Sequence, residues 1–156
     1  MDLDQKELLM RLTEYSMQAR WIISITAGWA QVYSIKYCKK LGFNVLSVDQ
    51  NPKAQGFRFS DEYLISKIDD TQKIINYINS KKIIPSGIIG FVSDAAVIPV
   101  GKLRKYYNIY SQSIDMLKLQ IDKEKQLNQL IKNKIKVPKS FFLGSIGDSE
   151  NFIKRL

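Results

Sequence analysis

Three short apolar runs recur along the chain, each ending near a glycine or an acid and each followed by a different texture. They are Trp21-Ile22-Ile23-Ser24-Ile25-Thr26, Phe43-Asn44-Val45-Leu46-Ser47-Val48 and Gly87-Ile88-Ile89-Gly90-Phe91-Val92. Runs this short and this continuous predict strands buried on both faces, as in a parallel sheet. Tyr63-Leu64-Ile65 is a shorter strand candidate. Between the runs the period changes. Val32, Ile35, Cys38 and Leu41 share one face of a helix predicted from about Trp29 to Leu41, with Gly42 placed to stop it. Asp69 and Asp70 precede a helix holding Ile74, Ile75, Tyr77 and Ile78, and another helix is expected from about Ala95 to Tyr106. Gln50 to Phe59, with Pro52 and Gly56, reads as a loop.

Strands alternating with helices predict an α/β fold, a Rossmann-like parallel sheet with helices on both faces, spanning about residues 20–110. Ligands of such sheets bind beyond the carboxyl ends of the strands. Gly28, Asp49 and Asp94 fall at those ends and mark a candidate site. Two flanking regions complete the chain. Leu8, Leu9, Leu12, Tyr15 and Ala19 predict an amphipathic leader helix within residues 1–19. From Ser111 to Leu156 the texture is helical and basic, with helices expected over Ile114–Leu119 and Lys123–Ile131, an extended stretch after Val137-Pro138, and a last helix from Glu150 capped by Asp148 or Ser149.

The composition excludes several chemistries. The 156 residues contain no His, so neither a Ser-His-Asp triad nor an imidazole zinc site can form. The single Cys38 cannot make an internal disulfide, which fits a reducing, cytoplasmic setting, and its place on an apolar helix face predicts core packing. No apolar run approaches the roughly 18 residues of a membrane span, so no membrane partner is expected. The net charge is +9, and twelve bases against five acids lie from Ala95 onward. Such a patch fits nucleic acid, an anionic surface or a polyphosphate. Lysine dominates it and no base-stacking aromatic pattern accompanies it, so nucleic acid is not the expected partner.

The first strand-to-helix turn, Thr26-Ala27-Gly28-Trp29-Ala30-Gln31, keeps only the middle glycine of the GxGxxG pattern. Asp49 lies at a spacing that suits a ribose-binding acid. One glycine and one acid fit a plain strand-to-helix turn better than dinucleotide binding, and Trp29 would crowd a pyrophosphate there. Asp61-Glu62 is expected to be a solvated loop edge rather than an acid–base pair. Asp94 is either an N-cap or a placed polar group. Asp122-Lys123 opens a helix.

Taken together, the order of these pieces resembles a known family. An I-x-I-x-A-G-x-x-Q turn precedes a helix ending K-K-L-G, then V-L-S-V-D-Q-N-P-K-A-x-G, S-D-E-Y-L, G-I-I-G-F-V-S-D-A-A-V, a D-K pair and V-P-K. From about Arg20 to Pro138 the chain resembles the N-terminal region of ATP-grasp ligases, in the flavour of carbamoyl-phosphate synthetase and biotin carboxylase. The resemblance implies a pre-ATP-grasp domain over residues 20–110, a linker and the beginning of the ATP-grasp domain over 111–156, and ATP-dependent ligation through an acyl phosphate. It implies that Gly28, Gln31, Asp49 and Asp94 line the side facing a small-molecule acceptor, and that Lys123 contacts ATP phosphate. ATP and Mg²⁺ are the cofactors so implied for a longer protein. The family's second lysine, adenine clamp and metal-binding residues would lie beyond Leu156. The chain is therefore expected to be a fragment that binds neither cofactor tightly, turns over no ATP, and has the missing ATP-grasp domain as its partner. Uncovered Phe152, Ile153 and Leu156, with the amphipathic leader helix, lead to an expectation of self-association. The alternative is a stand-alone Rossmann-like module binding a nucleotide or a partner protein.

Overall fold

The computed structural model describes residues 20–140 and, singly, residues 147 and 153. The leader helix and the elements expected after Ser140 lie outside the described residues. Four parallel strands form one sheet: β1 (Trp21–Ile25), β2 (Asn44–Asp49), β3 (Glu62–Ile65) and β4 (Pro85–Ile89), in the order β3-β2-β1-β4. The helices are α1 (Val32–Lys40), entered through a 3₁₀ turn at Trp29–Gln31, then α2 (Thr71–Ser80), α3 (Asp94–Tyr106), α4 (Ile114–Ile121) and α5 (Lys123–Lys132). This is the expected α/β class. The residues fall into two compact units, up to Leu117 and from Lys118.

Alternation along each strand sorts the side chains onto two faces. Ile23, Ile25, Leu46, Val48 and Ile88 form one core with Ile74, Ile75 and Ile78 of α2 and Ala96, Val100 and Leu103 of α3. Val45 packs on the other face with Ala27, Ile35 of α1 and Ala54, and Cys38, Phe57 and Phe59 border that smaller cluster. Helices therefore cover both faces. Cys38 does contribute packing, at the margin of the smaller core, and burial pushes its thiol pKa up while a backbone hydrogen bond lowers it.

Several boundaries differ from expectation for local reasons. β4 ends at Ile89 rather than Val92, because Phe91 and Val92 turn away and Val92 adopts φ +52°. The Gln50–Phe59 stretch contains a 3₁₀ turn at Gln55–Phe59. Leu41 is exposed instead of completing the α1 apolar face. The stop after α1 is as expected: Gly42 at φ +81° donates to the Lys39 carbonyl (3.0 Å) and Phe43 N to the Cys38 carbonyl (3.1 Å), a Schellman pair. Asp70 caps α2 by accepting from Lys73 N at 3.1 Å, and Asp122 caps α5 by accepting from Lys125 N at 3.0 Å. Residues 133–140 carry no strand. No described helix is long and apolar enough to cross a membrane.

Candidate functional site

The chain moves outward from β1 to β2 to β3, then returns to the far side of β1 as β4. The direction of winding thus reverses between β1 and β4, and the crevice beyond their carboxyl ends is where a doubly wound sheet takes its ligand. On the β1 side stand Thr26, Ala27 and Gly28; on the β4 side, Gly90, Phe91 and Val92.

Thr26 carries the sharpest local feature. Its φ is +87°, a conformation that costs a β-branched residue on the order of 1–3 kcal/mol. Its backbone holds the pose by donating to the Val48 carbonyl at 2.8 Å and accepting the buried Ser24 hydroxyl at 2.9 Å. Its Oγ1 is buried without a hydrogen-bond partner. Thr26 stands where the GxGxxG pattern has its first glycine, and the left-handed backbone explains why a glycine suits that place. Gly28 does not serve this way. Its φ is −67°, and its missing Cβ leaves room for Gln31 Oε1, which a Cβ would approach to 3.3 Å.

The next peptide is clamped on both sides. Ala27 N donates to Asp49 Oδ2 at 2.8 Å, and the Ala27 carbonyl accepts from Gly56 N at 2.7 Å. Asp49 Oδ1 accepts from Asn51 N at 2.9 Å. Both carboxylate oxygens of Asp49 thus serve the backbone, and Asp49 shapes the site through Ala27. Gly56 must lack a side chain, since a Cβ there would lie 2.7 Å from the Ala27 oxygen and 2.6 Å from Ile35 Cδ1.

Gln31 closes the crevice floor. It is buried at the start of α1, and its Nε2 donates to the Phe91 carbonyl at 2.6 Å, linking the loops after β1 and β4. Above this polar floor Trp29, Phe91 and Val92 are exposed, which gives the mouth an apolar rim. Asp94, three residues beyond Phe91, is exposed on the first turn of α3. It is not the cap: Ser93 occupies that position without a capping side-chain bond, and Asp94 instead places its charge at the positive end of the helix.

The structure therefore brings Gly28, Gln31 and Asp49 into one hydrogen-bonded turn and sets Asp94 at the start of α3, three residues past the Phe91 carbonyl that Gln31 reaches. Lys123 belongs to the second unit. It is exposed at the start of α5, with Nζ 3.4 Å from Gln126 Oε1. It lines an open hollow of about 670 Å³ with Lys118, Asp122, Glu124 and Lys125. Asp122 is bound to Lys125 through both backbone and ammonium, which holds its pKa below the usual carboxylate range. The three lysines suit a phosphate, and the two carboxylates oppose one. Among the described residues no group of three potential metal-ligating side chains occurs.

Asp61 and Glu62 are structural rather than merely solvated. Asp61 accepts from Val45 N at 2.7 Å and pairs with Lys39. Glu62 accepts from Tyr77 Oη at 2.8 Å and from Lys81 at 3.0 Å, which lowers its pKa. Sequence reasoning missed Thr26, Gly56 and Phe91 as site-forming residues. The threonine in place of a glycine at Thr26 and the A-x-G of Ala54-Gln55-Gly56 are signals; a Phe91 carbonyl leaves none.

No protein-family model matches the chain, and no curated protein matches it in sequence. Solved structures do match in fold. Phosphoribosylglycinamide synthetase from Anaerococcus prevotii superposes with a TM-score of 0.62 at 16% identity, over 88% of this chain and 35% of that one. N5-carboxyaminoimidazole synthetase from Staphylococcus aureus, solved with ADP, gives 0.61 at 20% identity, over 89% and 36%. The biotin carboxylase subunit of pyruvate carboxylase gives 0.56 at 20%, over 88% and 33%. The chain spans about a third of the length of the enzymes it matches. Over the matched region it shares the fold of these enzymes.

Proposed function

We propose that this chain is the substrate-side domain of an ATP-dependent ligase that joins a carboxylate to an amine or a similar nucleophile. The single observation that carries the reading is the Gln31 bridge to the Phe91 carbonyl at 2.6 Å, which closes the floor of the β1–β4 crevice in a fold held in common with ATP-grasp ligases. Among the described residues the floor is built of backbone amides, the Gln31 amide and the Asp49 carboxylate, groups suited to binding and orienting. Gly28 keeps the approach low, Gln31 sets the spacing of the two loops, Asp49 fixes the Ala27 peptide, and Asp94 supplies negative charge at one rim. An acceptor of moderate size with an apolar body and a donor group suits that arrangement.

The chemistry itself would come from ATP bound outside this domain. ATP held there would supply phosphoryl activation of the carboxylate, with ADP and phosphate leaving as the bond to the nucleophile forms. Lys123, on a lysine-lined hollow, is the described residue suited to a nucleotide phosphate. By itself this chain is expected to show no ATP turnover.

The test is the reading frame beyond Leu156. The proposal expects an apolar strand bearing a lysine, then a late pair of metal-binding acids. A frame that stops at Leu156 overturns it in favour of a stand-alone binding module. That module would reveal itself by a rise in the melting midpoint of the chain with ATP, AMP or NAD.

A further inference from the structure

The outer surface of α1 carries an apolar ridge. Trp29, Tyr33, Tyr37 and Leu41 follow one another at intervals of four and are 76%, 82%, 61% and 51% exposed. Side chains at this spacing form the i±4 ridge by which one helix packs on another. An aromatic side chain buries about 150–250 Å², so three rings and a leucine at these exposures leave on the order of 500–600 Å² of ridge in solvent. A contiguous apolar surface of that size marks an interaction site. Two of the three lysines of α1 are turned onto their own domain: Lys36 lies 4.1 Å over the Phe59 ring, and Lys39 pairs with Asp61. The third, Lys40, is exposed beside the Leu41 end of the row.

We propose that the ridge is the surface through which two copies of this chain pair, α1 against α1, about a two-fold axis that passes between Tyr33 and Tyr37. Three observations select a second copy as the occupant. The first is size. In a two-fold contact residue i meets j and j meets i, so Tyr33 meets the partner's Tyr37, and Trp29, the largest side chain of the row, meets the partner's Leu41, the smallest. The second is area. Two such ridges bury about 1,000–1,200 Å² together, the size that a specific interface must clear. The third is charge. The antiparallel pairing sets the two Lys40 residues about 15 Å apart at roughly 1.5 Å per helical residue, beyond the Debye length of about 8 Å at physiological salt. Each Lys40 then stands near the partner's Trp29, whose ring face attracts a cation. An anionic lipid surface fits less well, because a helix that lies on lipid carries a face rich in Lys and Arg, and here Lys40 alone of the α1 lysines is not turned onto its own domain. Trp29 also stands at the crevice mouth, so the Leu41 end of the second copy borders that mouth. None of this depends on the ligase reading.

The test is sedimentation velocity on the full chain from about 1 to about 100 μM, where a dimer with a micromolar dissociation constant is expected. Tyr33→Glu/Tyr37→Glu is expected to weaken that association about a hundredfold or more, the scale of losing two central aromatic anchors. A natural chain that stays monomeric throughout the range overturns the proposal. If that monomer binds vesicles of phosphatidylcholine and phosphatidylserine and the double variant does not, the row belongs to a lipid surface. A double variant that associates as tightly as the natural chain also overturns the proposal and places the contact elsewhere. Cross-linking keeps both tyrosines and so holds whether or not the glutamates disturb the fold. Two Cys38→Ser chains, one with Trp29→Cys and one with Leu41→Cys, are mixed and treated with a bismaleimide of about 10 Å reach, the spacing of packed helices. The product joining position 29 to position 41 is expected to exceed each of the like-to-like products about fivefold or more, as the two-fold contact requires. Products in the statistical ratio contradict the pairing.

Discussion

The two faces of the sheet are built from different materials. Toward α2 and α3 the strands present Ile23, Ile25, Leu46, Val48 and Ile88, and the helices answer with three more isoleucines and Leu103. Toward α1 they present Val45 with two buried serines, Ser24 and Ser47, which lie side by side in the β1–β2 register. Ser47 Oγ is 2.6 Å from Ser60 Oγ, and Ser24 donates to the strained Thr26 carbonyl. The first face fills volume and carries stability. The second holds peptides at fixed positions with hydroxyls, a carboxylate and a close-packed glycine, and the crevice is built at its end. Stability and positioning are thus segregated by the alternation of a single strand pair.

That contrast can be broken most forcefully on the aliphatic face. Leu46→Ala and Ile74→Ala, each at a fully buried position, are expected to cost about 2–5 kcal/mol in urea unfolding. Losses below about 1 kcal/mol would remove the distinction. On the α1 face the sensitive change is an addition. Gly56→Ala drives a methyl into the Ala27 carbonyl and Ile35, and is expected to cost about 1–3 kcal/mol by the same measurement. A neutral result there would mean that the glycine is not needed for the clamp. Thr26→Gly moves the other way. It releases the φ +87° strain and removes the orphaned hydroxyl, and should stabilise the chain by about 1 kcal/mol after glycine's own entropic penalty. Destabilisation would show that the threonine side chain has a partner role in the fold.

The smallest expected effect is at high pH. Burial, with Tyr106 beside it, pushes the Tyr107 phenol from 10 up to about 12, and its Oη lies 3.1 Å from Asn79 Oδ1. The folded state therefore holds the proton more tightly than the unfolded chain. Its contribution is fully present below pH 10 and is lost as pH rises from 10 through about 12. The urea midpoint should fall across that window in the natural chain and fall less in Tyr107→Phe. Equal slopes in the two chains would contradict the assignment.

Most of the architecture was legible because its causes are local. Continuous apolar runs marked β1 and β2, Gly42 marked the end of α1, and Asp70 and Asp122 marked helix starts. What escaped depends on residues distant in sequence. The apolar run extends three residues past the end of β4, through Gly90 to Val92, because hydrophobicity does not distinguish a strand from an exposed turn, and Phe91-Val92 is such a turn. Gly28 was read as the turn glycine, whereas the left-handed residue is Thr26, two places earlier. Asp49 was legible as a placed acid, but its duty to Ala27 N emerges only from the β1–β2 register. Gln31 came from the family resemblance; its bond to a Phe91 carbonyl sixty residues away carries no sequence mark.

As proposed, this domain would hold the acceptor of an ATP-dependent ligation, with Gln31 setting the crevice floor. Its most direct test is steady-state kinetics on the protein encoded by the complete reading frame, natural and Gln31→Ala, assayed by phosphate release from ATP with bicarbonate and amine acceptors. ATP turnover is expected to depend on an acceptor, and Gln31→Ala to raise the acceptor KM about tenfold while the KM for ATP stays within about twofold. Absence of ATP turnover in that protein, or a Gln31→Ala enzyme whose acceptor KM does not change, would contradict it.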